Sequence, residues 1–165
     1  MWQHFTENAR RTVYEGQEVA KKFGDVKVSP EHLLVGLLVN EENSACRILR
    51  HLGHDPTQIR EILNDGLAKD VMEQVNPEEM GLSDRGKRII DYTYDGRRNL
   101  HHPHIGTEHL LLGLIRVGQG FSGEVLTKSG IDLQSVRKEA AILHPNYPQR
   151  EQTFWEWLRG FITKG

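Results

Sequence analysis

Apolar residues along this chain recur at three- and four-residue intervals, and the pattern they make occurs twice. Ala9, Val13, Gly16, Ala20 and Phe23 follow that spacing, so Thr6 to Phe23 reads as one amphipathic helix with Thr6 as its N-cap and Gly24 just past its end. After a short loop, the mostly apolar stretch Pro30 to Val39 predicts a largely buried helix. A third helix spans about Ser44 to Leu52 and stops at Gly53, where glycine closes a helix in the left-handed conformation. A fourth starts after Asp55. The same four predictions fall on Ser83 to Leu100, Thr107 to Val117, Phe121 to Ser129 before Gly130, and the segment after Asp132. No convincing alternation of a half-buried strand is present. The expected fold is all-α: two tandem, pseudo-symmetric four-helix repeats, eight helices in all.

The two sets are copies of one unit. Phe5 to Leu63 aligns with Leu82 to Ala140 at a constant offset of 77 without a gap, and EHLLVGLL at Glu31 to Leu38 answers EHLLLGLI at Glu108 to Ile115. Internal repetition decides architecture before any motif does. Between the repeats, Asn64 to Gly81 carries five acidic residues against Lys69 and reads as a solvated connector, partly helical at its start. The domain therefore covers residues 1–143, with repeat 1 at 5–63, a linker at 64–81 and repeat 2 at 82–140. Pro145 and Pro148 then break the helix. The tail 144–165 ends in a short amphipathic helix with Phe154, Trp155, Leu158 and Phe161 on one face. Two destinations compete for these aromatics: a groove on their own domain, or a partner protein for which they are the candidate contact residues.

Composition narrows the partners. A net charge of -2 and 27% charged residues of interspersed sign give no reason to expect nucleic acid. No apolar run approaches the ~20 residues of a membrane span, and the start shows no signal-peptide apolar region. The single cysteine, Cys46, lies in a helical pattern as a small buried hydrophobe. A cytoplasmic, cofactor-free protein is the expectation.

FTENARRTVYEGQEVAKKFG, SPEHLLVGLL, GTEHLLLGLI, LGHDPTQIRE and SGIDLQSVRKE together resemble the Clp amino-terminal domain, the two-repeat helical module at the front of Clp-type unfoldases, closest to the ClpC kind. The resemblance covers about Phe5 to Leu143. No G-x-x-x-x-G-K-[ST] phosphate loop occurs, so ATP hydrolysis is not expected of the chain. The resemblance implies a non-enzymatic, stand-alone adaptor or regulator of a Clp-type unfoldase and protease, binding adaptor or client proteins. It also implies recognition of phosphoarginine through the GTEH motif, matched at Gly106, Thr107, Glu108 and His109. An alternative is an accessory subunit that stabilises the protease core.

The helix starts supply a physical basis. Proline is favoured at the first helical position, which makes Ser29 an N-cap and Glu31 the second helical residue. By the offset, Gly106 is the N-cap, Thr107 first and Glu108 second. Unpaired amides seat a phosphate there, and a carboxylate pairs a guanidinium. SPEH at Ser29 to His32 lacks the threonine hydroxyl and one amide, so a weaker site is expected in repeat 1. The plainer reading is that Glu31 and Glu108 only complement helix dipoles, worth about 0.3 to 1 kcal/mol. His32 and His109 read as structural. Gly36 and Gly113 read as sites of close helix approach. His101, His102 and His104, interrupted by Pro103, do not complete a metal set, and Arg85, Lys87, Arg88, Arg97 and Arg98 read as a solvated face. A small hydrolase using His109 with Glu108 is disfavoured, because adjacent helical side chains diverge by about 100 degrees.

Overall fold

The structure, a computed structural model, describes residues 2–67 and 80–143. A short 3-10 turn at Trp2–His4 leads into α1 (Glu7–Lys22), β1 (Lys27–Val28), α2 (Pro30–Val39), α3 (Ser44–His51) and α4 (Pro56–Leu67). The second copy runs through β2 (Gly81–Leu82), α5 (Asp84–Asn99), α6 (Thr107–Val117), α7 (Gly120–Lys128) and α8 (Leu133–Ile142). All eight predicted helices are present within one or two residues of their expected ends. Thr6 Oγ1 accepts from Ala9 N–H and Ser83 Oγ from Gly86 N–H, so equivalent residues cap α1 and α5.

The apolar α2 and α6 lie at the centre and touch each other. Leu33, Leu34, Leu37 and Leu38 of α2, with Leu110 and Leu111 of α6, are among the buried side chains of one continuous core. Each central helix lies against the long first helix of its own repeat, α1 on α2 and α5 on α6. Glycine permits that closeness. A Cβ built on Gly36 would stand 2.5 Å from Gly16 N and 2.6 Å from Thr12 O, and one on Gly113 would stand 2.7 Å from Ile89 O.

The repeats exchange contacts rather than merely abutting. Helix α3 of repeat 1 packs on α6, and α7 of repeat 2 packs on α2. Thr6 N–H donates to Ile105 O at 2.8 Å, and its equivalent Ser83 N–H donates to Val28 O at 3.0 Å. Around the second of these bonds, β1 and β2 pair in parallel, Val28 opposite Leu82, while Phe5 bridges Ile105 in the same sense. These paired strands stand beside the eight helices and leave the all-α class as expected. Two residues are too short a run to reveal alternation, and the ladder exists because the offset places each repeat's entry chain beside the other's loop. Helix α4 takes up the first residues of the expected connector. The rest of the connector up to residue 79 and the aromatic tail, with Phe154, Trp155, Leu158 and Phe161, lie outside the described residues.

Candidate functional site

At both expected sites the frame is as the sequence predicts: Ser29 caps α2 with Glu31 second, and Gly106 caps α6 with Glu108 second. The third residue of each helix closes a box in an unusual way. His32 Nδ1 accepts the Ser29 N–H at 3.0 Å, and His109 Nδ1 accepts the Gly106 N–H at 2.9 Å. Imidazole here does the work usually given to a glutamate side chain at that position. Both rings are buried, which bears out their reading as structural histidines.

What sequence could not show is that each of these helix starts faces another helix start from the opposite repeat. Thr107 Oγ1 accepts the Ala45 N–H at 3.1 Å, at the beginning of α3. Ala45 and Ser122 are equivalent at the offset of 77. On the other side, Ser122 N–H at the beginning of α7 donates to Glu31 Oε1 at 3.2 Å, with the Ser122 hydroxyl at 3.3 Å. Two pairs of converging helix starts, α6 with α3 and α2 with α7, thus concentrate amides without a partner in their own helix and positive dipole ends at two places.

The two places are occupied differently. Glu31, 7% exposed, bridges α2 and α7, and Arg85 Nη1 of α5 stands 3.8 Å from its Oε1. Burial pushes the Glu31 carboxyl up. Its own N–H, the Ser29 hydroxyl, the Ser122 N–H and the Arg85 guanidinium outweigh that, and it lies below its ordinary value. Arg85 is therefore not part of a uniformly solvated face, a correction to the sequence reading, and Arg97 likewise turns to donate to Pro103 O at 2.9 Å. Lys87, Arg88 and Arg98 are exposed as expected.

In repeat 2, Thr107 is 2% exposed and Glu108 is fully buried. Glu108 Oε1 lies 3.3 Å from His109 Nδ1 and 3.9 Å from His102 Nδ1. The expected divergence of Glu108 and His109 fails because the histidine turns back toward Gly106, which brings its Nδ1 to the helix start where the carboxylate already is. The pair is still no dyad. His109 Nδ1 is held by a backbone amide, and burial, with His102 and Arg97 nearby, pushes the imidazole down to about 3.

His102, Glu108 and His109 bring one possible ligand atom each within 4.8 Å of one another, a different grouping from the His101, His102 and His104 run of the sequence. The tautomer argues against a metal there. With Nδ1 accepting the Gly106 N–H, the His109 ring proton resides on Nε2, which faces His102 Nδ1 at 3.0 Å. Coordination through Nε2 would move that proton to Nδ1 and set it against the Gly106 N–H.

These features define an all-helical tandem repeat whose halves are locked together through their helix starts. The chain belongs to the Clp repeat (R) N-terminal domain family, whose profile matches residues 4–101 and 97–154. It is 33% identical over 141 residues to the chaperone protein ClpB of Oceanobacillus iheyensis, and 32% identical over 139 residues to the negative regulator of genetic competence ClpC/MecB of Bacillus subtilis. Each match covers 84% of this chain and 17% of the relative, so the chain spans about a sixth of their length. Among solved structures, the N-terminal domain of ClpD from Arabidopsis thaliana superposes with a TM-score of 0.65 at 25% identity, over 85% of this chain and 94% of that one. The N-domain of ClpV, solved in complex with a VipB peptide, has a TM-score of 0.67 at 15% identity over 84% and 86% of the two chains, a likeness of fold. Among the described residues no helix is long and apolar enough to cross a membrane.

Proposed function

We propose that this chain is a non-enzymatic protein-binding module that serves a Clp-type unfoldase and protease as adaptor or regulator, and that it recognises phosphoarginine on client proteins at the start of α6. Membership of the Clp repeat family supports the protein-binding role, as does the peptide held by the similarly folded N-domain of ClpV. One observation carries the finer reading: the starts of α6 and α3 converge at Thr107 and Ala45. A phosphate that displaced the Thr107 hydroxyl as acceptor of the Ala45 N–H would receive amide donors from two helices and the freed Thr107 hydroxyl, with both dipoles favouring its charge. Glu108, next to Thr107, would take the guanidinium of the same residue.

The buried position of Glu108 sets a condition on that ligand. Its carboxylate must leave the side of His109 and His102 to meet a guanidinium, so binding is coupled to a side-chain movement and is weaker than those contacts alone would give. Repeat 1 offers less, since Pro30 lacks an N–H and Glu31 is already committed to Ser122. The test is calorimetric titration with phosphoarginine of the wild type, Glu108→Gln and Thr107→Val. Binding that falls at least tenfold in both variants supports the reading. Equal binding by all three, or none by the wild type, removes phosphoarginine from it and leaves protein contacts. Co-purification with protease subunits in the absence of an ATPase would favour the accessory-subunit role.

A further inference from the structure

Arg85 is in a place that local helix energetics disfavour. It is the second residue of α5, where a cation opposes the positive end of the helix dipole. Its equivalent in repeat 1, Asn8, is uncharged, and the Asn8 amide oxygen accepts from Asn40 on the surface. A reason for the arginine therefore has to be sought outside its own helix, and the structure supplies one across the repeat boundary. Its Nη1 donates to Gln119 O at 3.2 Å and stands 3.8 Å from Glu31 Oε1. The guanidinium thus caps the junction of α2 and α7 from outside. Its side chain is 37% exposed while that of Glu31 is 9% exposed.

Room for this arrangement is made by one residue. Gly120, the first of α7, has φ +78, and a Cβ built on it would stand 2.0 Å from Arg85 Nη1 and 2.8 Å from Glu31 Oε1. At 3.8 Å the ion pair is longer than a hydrogen bond and open to water on the arginine side, so the hold is weak. Glu31 has its stronger bonds from Ser122, which remain if the arginine swings away.

We propose that Arg85 is a built-in occupant of the repeat 1 site: its guanidinium takes the seat beside Glu31 that the guanidinium of a phosphoarginine ligand would need, and it closes that site until displaced. This rests on the phosphoarginine reading of the helix starts given above. It makes the two repeats unequal for a reason beyond the loss of one amide at Pro30, because position 8, which answers Arg85 by the repeat, holds asparagine. The chain then presents one site without such an occupant, in repeat 2, and one guarded site, in repeat 1. The guarded site opens only to a ligand whose guanidinium competes with an arginine of the chain itself.

Calorimetric titration with phosphoarginine decides this, using the full chain as wild type, Arg85→Ala, and Arg85→Ala with Glu31→Gln. Glu108→Gln is added as a background that silences repeat 2. In that background Arg85→Ala is expected to tighten repeat 1 binding about fivefold, the upper range for a partly exposed ion pair, and Glu31→Gln to abolish the gain. Arg85→Ala that weakens binding would show that the arginine holds the phosphate instead, and would overturn the proposal, as would unchanged affinity. In either of those cases the wild type still binds through repeat 2, and the reading of function stands. Absence of binding by every variant, including the wild type, overturns both.

Discussion

His32 Nε2 lies 2.9 Å from Asp25 Oδ2, and 77 residues later His109 Nε2 lies 3.0 Å from His102 Nδ1. Positions 25 and 102 are equivalent, so one structural histidine is backed by a carboxylate and its copy by a second imidazole. The electrostatic consequence is opposite in sign. Burial lowers the affinity of both rings for a proton, Asp25 partly restores it for His32, and His102 lowers it further for His109. His102→Asp should therefore raise the His109 pKa from about 3 toward the ordinary histidine range. A proton-NMR titration of the His109 ring is the check, and an unmoved pKa would mean that burial and Arg97 set it without His102.

The helix frame was legible because spacing, caps and repeat all agreed: Thr6 and Ser83, and the starts Pro30 and Thr107, were fixed by residues within one turn. The contacts between repeats were not. Glu31 meets Ser122 across a separation of 91 residues, and nothing local to Glu31 announces that its partner is another helix start. Arg85 did carry a signal, a cation in the first turn of α5 against the dipole. Its place in a row of other charges, Lys87, Arg88, Arg97 and Arg98, masks that signal. The same locality explains the missed closeness of Glu108 and His109, since the angle between helical neighbours fixes where side chains leave the backbone, not where long ones end.

Three substitutions in or beside helices should act with different signs. Alanine is favoured over glycine by about 1 kcal/mol in a helix interior, yet the Cβ on Gly36 would meet backbone at 2.5 Å and that on Gly113 at 2.7 Å. Gly36→Ala and Gly113→Ala should each destabilise by about 1–3 kcal/mol or more. Gly96→Ala meets no atom closer than 3.7 Å and should stabilise by about 0.5–1 kcal/mol. Urea unfolding of the three variants gives the signs directly. Stabilisation by all three would refute the close crossings of α1 with α2 and of α5 with α6.

Thr107 offers a test of the converging helix starts that needs no ligand. Valine keeps the shape of threonine but leaves the buried Ala45 N–H without its acceptor at 3.1 Å. Thr107→Val should cost about 1–3 kcal/mol, whereas Thr107→Ser should cost less because the hydroxyl remains. Hydrogen exchange at Ala45 should quicken in the valine variant before that of the core of α6. Equal stability of valine and threonine would place the Ala45 amide elsewhere.

Cys46 should be inert in the folded chain. It is fully buried, and burial pushes its thiol up to about 11, so almost no thiolate exists at neutral pH. A thiol reagent at pH 7.5 should label it only at the rate of unfolding, and addition of urea past the transition should release the full reaction. Rapid labelling without denaturant would show that the face of α3 toward the core opens on its own.

Acid should weaken the fold well before the carboxylates titrate. His109 has an ordinary value of 6.5 and lies at about 3 in the folded chain, facing His102, Arg97 and Glu108. Between those values the unfolded chain binds a proton that the folded chain refuses, so stability is whole above pH 6.5 and is lost as pH falls toward 3. The slope from this ring is about 1.4 kcal/mol per pH unit, and His32, also lowered, adds to it. Glu31 is lowered from 4.5 by its hydrogen bonds and Arg85, so its contribution is present above that value and fades only below it. Urea unfolding at pH 7.5, 6.0 and 5.0 should show a steady loss in the wild type and a shallower one in His109→Gln, even though that variant starts less stable without the imidazole acceptor for Gly106. Parallel lines for the two proteins would mean that His109 takes up its proton in the folded chain, at the cost of the bond its Nδ1 accepts from the Gly106 N–H.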